Sequence, residues 1–144
     1  MERQVRVMGD PLDMAASEPE VQELVRLYDE HSPAFYRGDP HIEDWLHDAE
    51  VSIHGGFDVS ARGWDTIEGG LRFASGRLSD GEMAVRPIAG RVVGDMGYVA
   101  GFEEGIVRVD SGERRPMRLR ATMVFLRVDG DWKVIHRHGE ILTP

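Results

Sequence analysis

Residues 118–138 read RLRATMVFLRVDGDWKVIHRH and predict a β-hairpin. Two runs rich in apolar and β-branched residues flank Asp129-Gly130, a dipeptide typical of tight hairpin turns. Side chains alternate between the two faces of a sheet, so polar residues spaced by two share a face. The alternating polar positions are Arg118, Arg120, Thr122, His136 and His138. They predict either a small polar pocket or a group of structural polar contacts.

The register of this hairpin decides which residues meet across it. A two-residue turn pairs Val128 with Asp131 and places His136 opposite Met123. A three-residue loop pairs Arg127 with Asp131 instead and shifts every later partner by one position. The three-residue loop is preferred because it pairs apolar residues with apolar residues and polar residues with polar residues. It pairs Leu126 with Trp132, Val124 with Val134, Thr122 with His136, and Arg120 with His138.

Upstream of the hairpin, apolar periodicity predicts helices first and strands afterwards. Three helices are predicted, one after Ser17 that reaches Phe35, one over His41–His47 and one that opens at Gly63-Trp64. Strands are predicted over Val51–His54 and then over 82–94, 97–109, 116–128 and 132–141. Helices followed by an antiparallel meander are typical of an α+β fold.

The chain is long enough for one domain. Residues 1–16 show no clear period and are predicted to form an N-terminal arm, and residues 17–144 to form a single domain. The strand at 116–128 is apolar on both faces, which predicts a cover on each. The outer cover is expected to be a second subunit in a two-fold homodimer, and a curled sheet or the arm is the alternative.

Composition excludes several classes of protein. The 144 residues carry a net charge of −9, so a nucleic-acid partner is not expected. The absence of cysteine excludes disulfides and thiolate chemistry and suits a cytoplasmic location. No stretch approaches the roughly 20 apolar residues that span a bilayer, so a membrane protein is not expected. Lys133 is the only lysine, which disfavours Schiff-base catalysis.

Three segments carry a family resemblance. They are Phe35-Tyr36-Arg-Gly-Asp39, Arg62-Gly-Trp-Asp-Thr-Ile67, and the terminal Asp129-Gly-Asp-Trp132 followed by His136-Arg-His138. Across roughly residues 18–141 the chain resembles the SnoaL-like or ketosteroid-isomerase-like proteins of the nuclear-transport-factor-2-like superfamily. The resemblance implies a curved antiparallel sheet wrapped around three N-terminal helices into a cone. It also implies a common dimeric state and a pocket at the wide end of the cone.

The resemblance implies the fold more directly than the chemistry, because the superfamily includes isomerases, dehydratases, epoxide hydrolases, cyclases and members that only bind. Ketosteroid isomerases pair an aspartate base with a tyrosine and a protonated aspartate. Tyr28 and Asp39 hold comparable positions here. The strand expected to carry the second acid has Phe102-Glu103-Glu104 and no aspartate. This difference from the ketosteroid isomerase pattern argues against steroid isomerisation.

His138 and His136 are the candidates for proton transfer, since histidine titrates near neutral pH. The alternative is a structural role in the sheet. Arg120 and Arg118 are candidates to bind a substrate anion. Equally, the two arginines could form salt bridges with Glu103, Glu104 or Glu140.

The remaining candidates line the expected pocket or pack in the core. Thr122 lies on the polar face of the hairpin, and His54 ends a strand next to Gly55-Gly56. Trp64 is either core or a wall of the pocket, and Tyr28 either donates a hydrogen bond to a ligand or packs. A metal on His-x-His would need further ligands from His54, Asp58 or Asp39, so no metal site is predicted.

These residues predict a cofactor-independent acid–base enzyme of isomerase, dehydratase or cyclase type. Its substrate would be a small, largely apolar carbonyl or polycyclic metabolite held in the cone. The alternative is a non-catalytic module of the same fold that binds a small molecule or a partner. A pocket that holds two titratable groups in divergent environments, both within reach of one ligand atom, would favour the enzyme over the binding module.

Overall fold

A curved, unclosed six-stranded sheet carries two α-helices on one face in the computed structural model, which describes residues 4–55 and 58–143. The helices are α1 (Pro19–Phe35) and α2 (Trp64–Gly76), and single 3₁₀ turns occupy Met14–Ala16 and Ile42–Asp44. The strands are β1 (Ser52–His54), β2 (Ser60–Arg62), β3 (Leu78–Val93), β4 (Met96–Val109), β5 (Arg114–Val128) and β6 (Asp131–Ile141). No helix within the described residues is long and apolar enough to cross a bilayer.

The strand order β2-β1-β6-β5-β4-β3 confirms the α+β fold and the antiparallel meander of the four long strands. The sheet is mixed, because β1 runs parallel to β6 and antiparallel to β2. The predicted helix over His41–His47 is wrong. Only one 3₁₀ turn forms there, since Trp45 is extended and the Leu46 N–H donates to the Val134 carbonyl at 3.0 Å.

The core lies between the helices and one face of the sheet, which we call the inner face. The opposite face is the outer face. The helices contribute Leu24, Tyr28, Trp64, Ile67 and Leu71, and the inner face contributes Val99, Met123, Phe125, Trp132 and Val134. Trp45 joins this cluster at 1% exposure, which explains why its segment closes onto β6.

The preferred hairpin register is wrong. Asp129 and Gly130 both have positive φ, at 51° and 85°, and form a two-residue turn that pairs Val128 with Asp131. A bulge at Ile135 then adds one residue to β6. Beyond the bulge, Val124 pairs with His136, Thr122 with His138, and Arg120 with Glu140.

The bulge decides which face each β6 residue occupies. Trp132 and Val134 point inward before it, and Arg137 points inward after it. His136 and His138 consequently lie on the outer face, together with Thr122 and Arg120. The prediction that these four residues share a face is confirmed, but their pairing partners differ from the prediction.

Two glycines allow the sheet to bend around α1. Gly101 and Gly105 on β4 face the two places where the register of β3 shifts. A Cβ added to Gly101 would lie 2.5 Å from the Arg86 carbonyl oxygen, and one added to Gly105 would lie 1.9 Å from that of Glu82. Only glycine permits so close an approach of neighbouring backbones.

Part of the outer face is covered by its own side chains. Phe102 is only 3% exposed there because the guanidinium groups of Arg86 and Arg118 lie over its ring, at 4.7 and 4.3 Å. The homodimer through the outer face stays a prediction. Tyr98 and Ile106 on this face are 38% and 41% exposed.

Gly101→Ala is expected to lower the free energy of unfolding by about 1–3 kcal/mol, because backbone atoms of β3 cannot move away from the new methyl group. Chemical denaturation measures this change. Gly69→Ala is the matched control, since a Cβ at this α2 position meets nothing within 4 Å. The control should be neutral or more stable, and equal loss in both variants would contradict the bending role of Gly101.

Candidate functional site

The centre of the fold is a buried carboxylate. Glu103 on β4 is 1% exposed and accepts hydrogen bonds from the inner faces of α1 and β6. Tyr28 and Tyr36 donate their hydroxyls at 2.5 and 2.6 Å, and Ser32 donates at 3.2 Å. Arg137 donates through Nη1 and Nη2, at 2.5 and 2.8 Å, in a bidentate pair.

These donors keep Glu103 ionised. Burial alone would raise its pKa, but the charge and hydrogen bonds of Arg137, with the hydroxyls of Tyr28 and Tyr36, lower the pKa from 4.5 to about 2. Burial and the adjacent carboxylate raise the pKa of both tyrosines well above 10. At neutral pH the site therefore holds one carboxylate, one guanidinium and two neutral phenols.

An apolar cavity of about 270 Å³ adjoins this site. It lies between α2 and the sheet. Its apolar wall includes Phe35 from α1, Ile67, Leu71 and Ala74 from α2, Ile53 and Ala61 from β1 and β2, and Met117, Leu119 and Ile141 from β5 and β6. Its volume is close to the lower end of the range for small-molecule pockets.

Arg137 and Tyr36 connect the cavity to the buried carboxylate. Both line the cavity, and the Arg137 side chain retains 14% exposure. Among the described residues, no acceptor is found for the Arg137 Nε–H. At the rim, Arg77 is held by two hydrogen bonds to Asp110, next to the exposed ring of Phe73.

The described cavity lining contains no histidine, aspartate or glutamate. Its titratable groups are Tyr36, Arg77 and Arg137, and the surroundings raise the pKa of all three. None of them can accept a proton from a ligand at neutral pH.

The predicted histidines lie together outside the cavity, on the outer face. The His54 ring lies 5.7 Å from that of His136 and 5.4 Å from that of His138. Ser52 and Ser60 hydroxyls lie 2.8 and 2.9 Å from Nδ1 of His136 and of His54. Burial and the two neighbouring histidines lower the pKa of His136. The roles predicted for His136 and His138 in proton transfer stay predictions.

The predicted anion-binding residues also lie on the outer face. Arg118 binds Glu104 at 3.1 Å and Arg120 binds Glu140 at 2.8 Å, so both form the salt bridges considered as their alternative. Thr122 pairs with His138 across the hairpin.

The three remaining candidates are Tyr28, Asp39 and Trp64, and of these only Tyr28 contacts the carboxylate of Glu103. The hydroxyl of Tyr28 is bound to Glu103 rather than open to the cavity. Asp39 is exposed and accepts the backbone N–H of His41 at 3.0 Å. Trp64 belongs to the core, where its ring stacks on His47 at 4.1 Å.

Sequence reasoning missed Tyr36 and Arg137. A signal was present for Tyr36, because Tyr28, Ser32 and Tyr36 are spaced by four and form one hydroxyl-bearing stripe along α1 and its C-terminal turn. Such a stripe needs a buried acceptor, and Glu103 lies between two glycines on β4. Arg137 lies between the two histidines in the sequence and faces inward, opposite Met123, because of the bulge at Ile135.

Residues 25–144 match the family model described as the SnoaL-like domain. No curated protein matches the chain.

Several solved structures share the fold. A ketosteroid isomerase-like protein from Erwinia carotovora atroseptica has a TM-score of 0.72 and 18% identity, with 90% of this chain and 99% of that chain covered. A nuclear transport factor 2-like superfamily protein from Salmonella enterica has a TM-score of 0.66 and 18% identity, with coverage of 85% and 91%. The association domain of C. elegans CaMKII has a TM-score of 0.63 and 17% identity, with coverage of 84% and 95%. At these identities the likeness shows the fold alone.

The carboxylate of Glu103 is expected to give the protein a distinct acid transition. Its folded pKa is about 2 and its ordinary pKa 4.5, so its contribution to stability is complete above pH 4.5 and falls as the pH is lowered towards 2. The shift corresponds to about 3 kcal/mol. Denaturation at a series of pH values should show this loss, and Glu103→Gln should lack that component.

Glu103→Gln should also cost about 3–5 kcal/mol at pH 7, because it leaves the charge of Arg137 buried without a partner. The double variant Glu103→Gln with Arg137→Met should recover part of this loss. Glu104→Gln, on the outer face, is the matched control. If Glu104→Gln changed the pH profile of stability equally, this result would contradict the assignment of the acid transition to Glu103.

Proposed function

This chain belongs to the SnoaL-like domain family, and we propose that it binds a small, largely apolar molecule in the cavity beside Arg137. The observation that carries the proposal is a largely apolar wall that includes the Arg137 guanidinium. Ligand pockets generally combine an apolar lining with a few fixed polar groups that orient the ligand. Here the fixed polar group is the Arg137 guanidinium, which Glu103 holds in place.

The charge balance of the site favours a neutral polar group on the ligand. Glu103 already neutralises Arg137, so a ligand carboxylate would add a second negative charge beside one guanidinium. The Nε–H of Arg137 can instead donate to a carbonyl, ether or hydroxyl oxygen. We therefore propose an apolar compound with one neutral acceptor, and a ketone is the simplest example.

Binding without proton transfer is the function that the geometry supports best. An isomerase or dehydratase of the predicted type needs a base near the bound carbonyl, and no described lining residue provides one. Arg137 can orient and polarise a carbonyl, but it cannot remove a proton from the neighbouring carbon.

Ligand binding is tested with a series of compounds that share one small ring skeleton and differ in one group: a ketone, the parent hydrocarbon and the carboxylate. Isothermal calorimetry should show the ketone bound about 10-fold more tightly than the hydrocarbon, which is the value of one additional hydrogen bond. The carboxylate should bind more weakly than the ketone. Tightest binding by the carboxylate would contradict the proposed charge balance.

Ala74→Trp is expected to abolish this binding, because Ala74 lines the cavity and the indole would fill it. Ala84→Trp is the matched control, since Ala84 is an exposed residue of β3 outside the cavity lining. Unchanged affinity in Ala74→Trp would show that the ligand binds elsewhere.

Catalysis is tested separately, with the bound ketone in deuterated water. Without a base in the cavity, the protein should not accelerate exchange of the protons next to the carbonyl, as followed by mass spectrometry. Accelerated exchange that disappears in Ala74→Trp would establish an acid–base enzyme instead. Loss of that exchange in His138→Ala would restore the role first predicted for this histidine.

A further inference from the structure

A second polar cluster lies outside the cavity, where α1 meets the loop that follows it. His31 projects from α1 and is 3% exposed, and His41 and Asp44 project from the loop. Asp44 Oδ2 lies 2.9 Å from Nδ1 of His31 and 2.7 Å from Nδ1 of His41. The two imidazoles thus converge on a single carboxylate oxygen.

The ligand atoms of these three residues all lie within 4.8 Å of one another. A tetrahedral zinc ion with bonds of 2.0–2.2 Å requires ligand atoms roughly 3.3 Å apart. The two short distances are those of hydrogen bonds in which a proton joins nitrogen and oxygen. A metal ion between these atoms requires the distances to open by roughly half an ångström, with each imidazole neutral and its proton on Nε2.

Further carboxylates surround the cluster and favour a cation. Glu43 Oε1 lies 3.8 Å from Nδ1 of His41, and Asp39 Oδ2 lies 3.6 Å from its Nε2. Lys133 Nζ donates to the Glu43 backbone carbonyl at 2.9 Å. Three carboxylates around two imidazoles leave an excess of negative charge, in a chain whose net charge is −9.

We propose that His31, His41 and Asp44 bind a divalent transition metal ion such as zinc, with the Glu43 carboxylate within reach to complete the coordination. Two imidazole nitrogens and carboxylate oxygens form a donor set that suits zinc better than calcium or magnesium, which prefer oxygen alone. This set is different from the His-x-His pair considered in the sequence.

The site would be structural, because none of its residues lines the cavity. Its loop leads directly to the buried ring of Trp45 and to the Leu46 hydrogen bond with Val134. A metal at His31 and His41 would therefore fasten α1 to the start of the segment that closes on β6.

The test uses the full chain without a histidine tag, freed of metal by chelation and titrated with zinc sulfate at pH 7 in calorimetry. We expect saturation at one zinc ion per chain and a higher Tm that EDTA reverses. Absence of saturable binding at micromolar zinc would overturn the proposal.

Variants identify the ligands. His41→Ala should weaken zinc binding by at least about 100-fold, since it removes one of three ligands. His138→Ala is the matched control because it removes a histidine from the group on the outer face. Zinc binding that persists in His41→Ala and is lost in His138→Ala would place the site elsewhere and overturn the proposal. Cobalt in place of zinc provides a second readout, the visible absorption of a tetrahedral complex, which His41→Ala should abolish.

Discussion

Burial of an ionised carboxylate costs several kcal/mol unless its charge and its lone pairs are satisfied, and Glu103 is buried almost completely. Its five hydrogen bonds come from α1, from the turn that follows it and from β6. Each of these elements must therefore lie where its donor reaches one group on β4. The geometry of the helix against the sheet follows from this requirement as much as from the apolar core around it.

The same requirement shapes the cavity. Arg137 has to turn inward to meet Glu103, and in doing so it adds a polar group to a largely apolar space. Since two of its nitrogens already bind the carboxylate, it would offer a ligand bound as proposed a direction and a hydrogen bond rather than an unbalanced charge. Under the proposed function, one side chain serves both the structural ion pair and the contact with the ligand.

Much of the fold could be predicted from local sequence patterns, but the residues that form the candidate site could not. Periodicity and the turn at Asp129-Gly130 located α2 and the four long strands, and the terminal hairpin indicated the family. The bulge at Ile135 has no local sequence signal, yet it reverses the faces of every residue after it. After the two-residue turn, the bulge is what places His136 and His138 on the outer face and Arg137 on the inner face. The pairing of Glu103 with Arg137 joins residues that are 34 positions apart, so it depends on this reversal and on the bend of β4 near Gly101.

The short strands β1 and β2 have a consequence for kinetics. They form part of the cavity wall, through Ile53 and Ala61, but they are joined to each other and to β6 by only three residue pairs at each boundary. The opposite wall belongs to long strands and to a helix packed on the core. Opening this sheet edge breaks few hydrogen bonds, so a local fluctuation can open the cavity while the rest of the fold stays intact. For a ligand bound as proposed, the lifetime of this edge would contribute to the residence time together with the contacts inside the cavity.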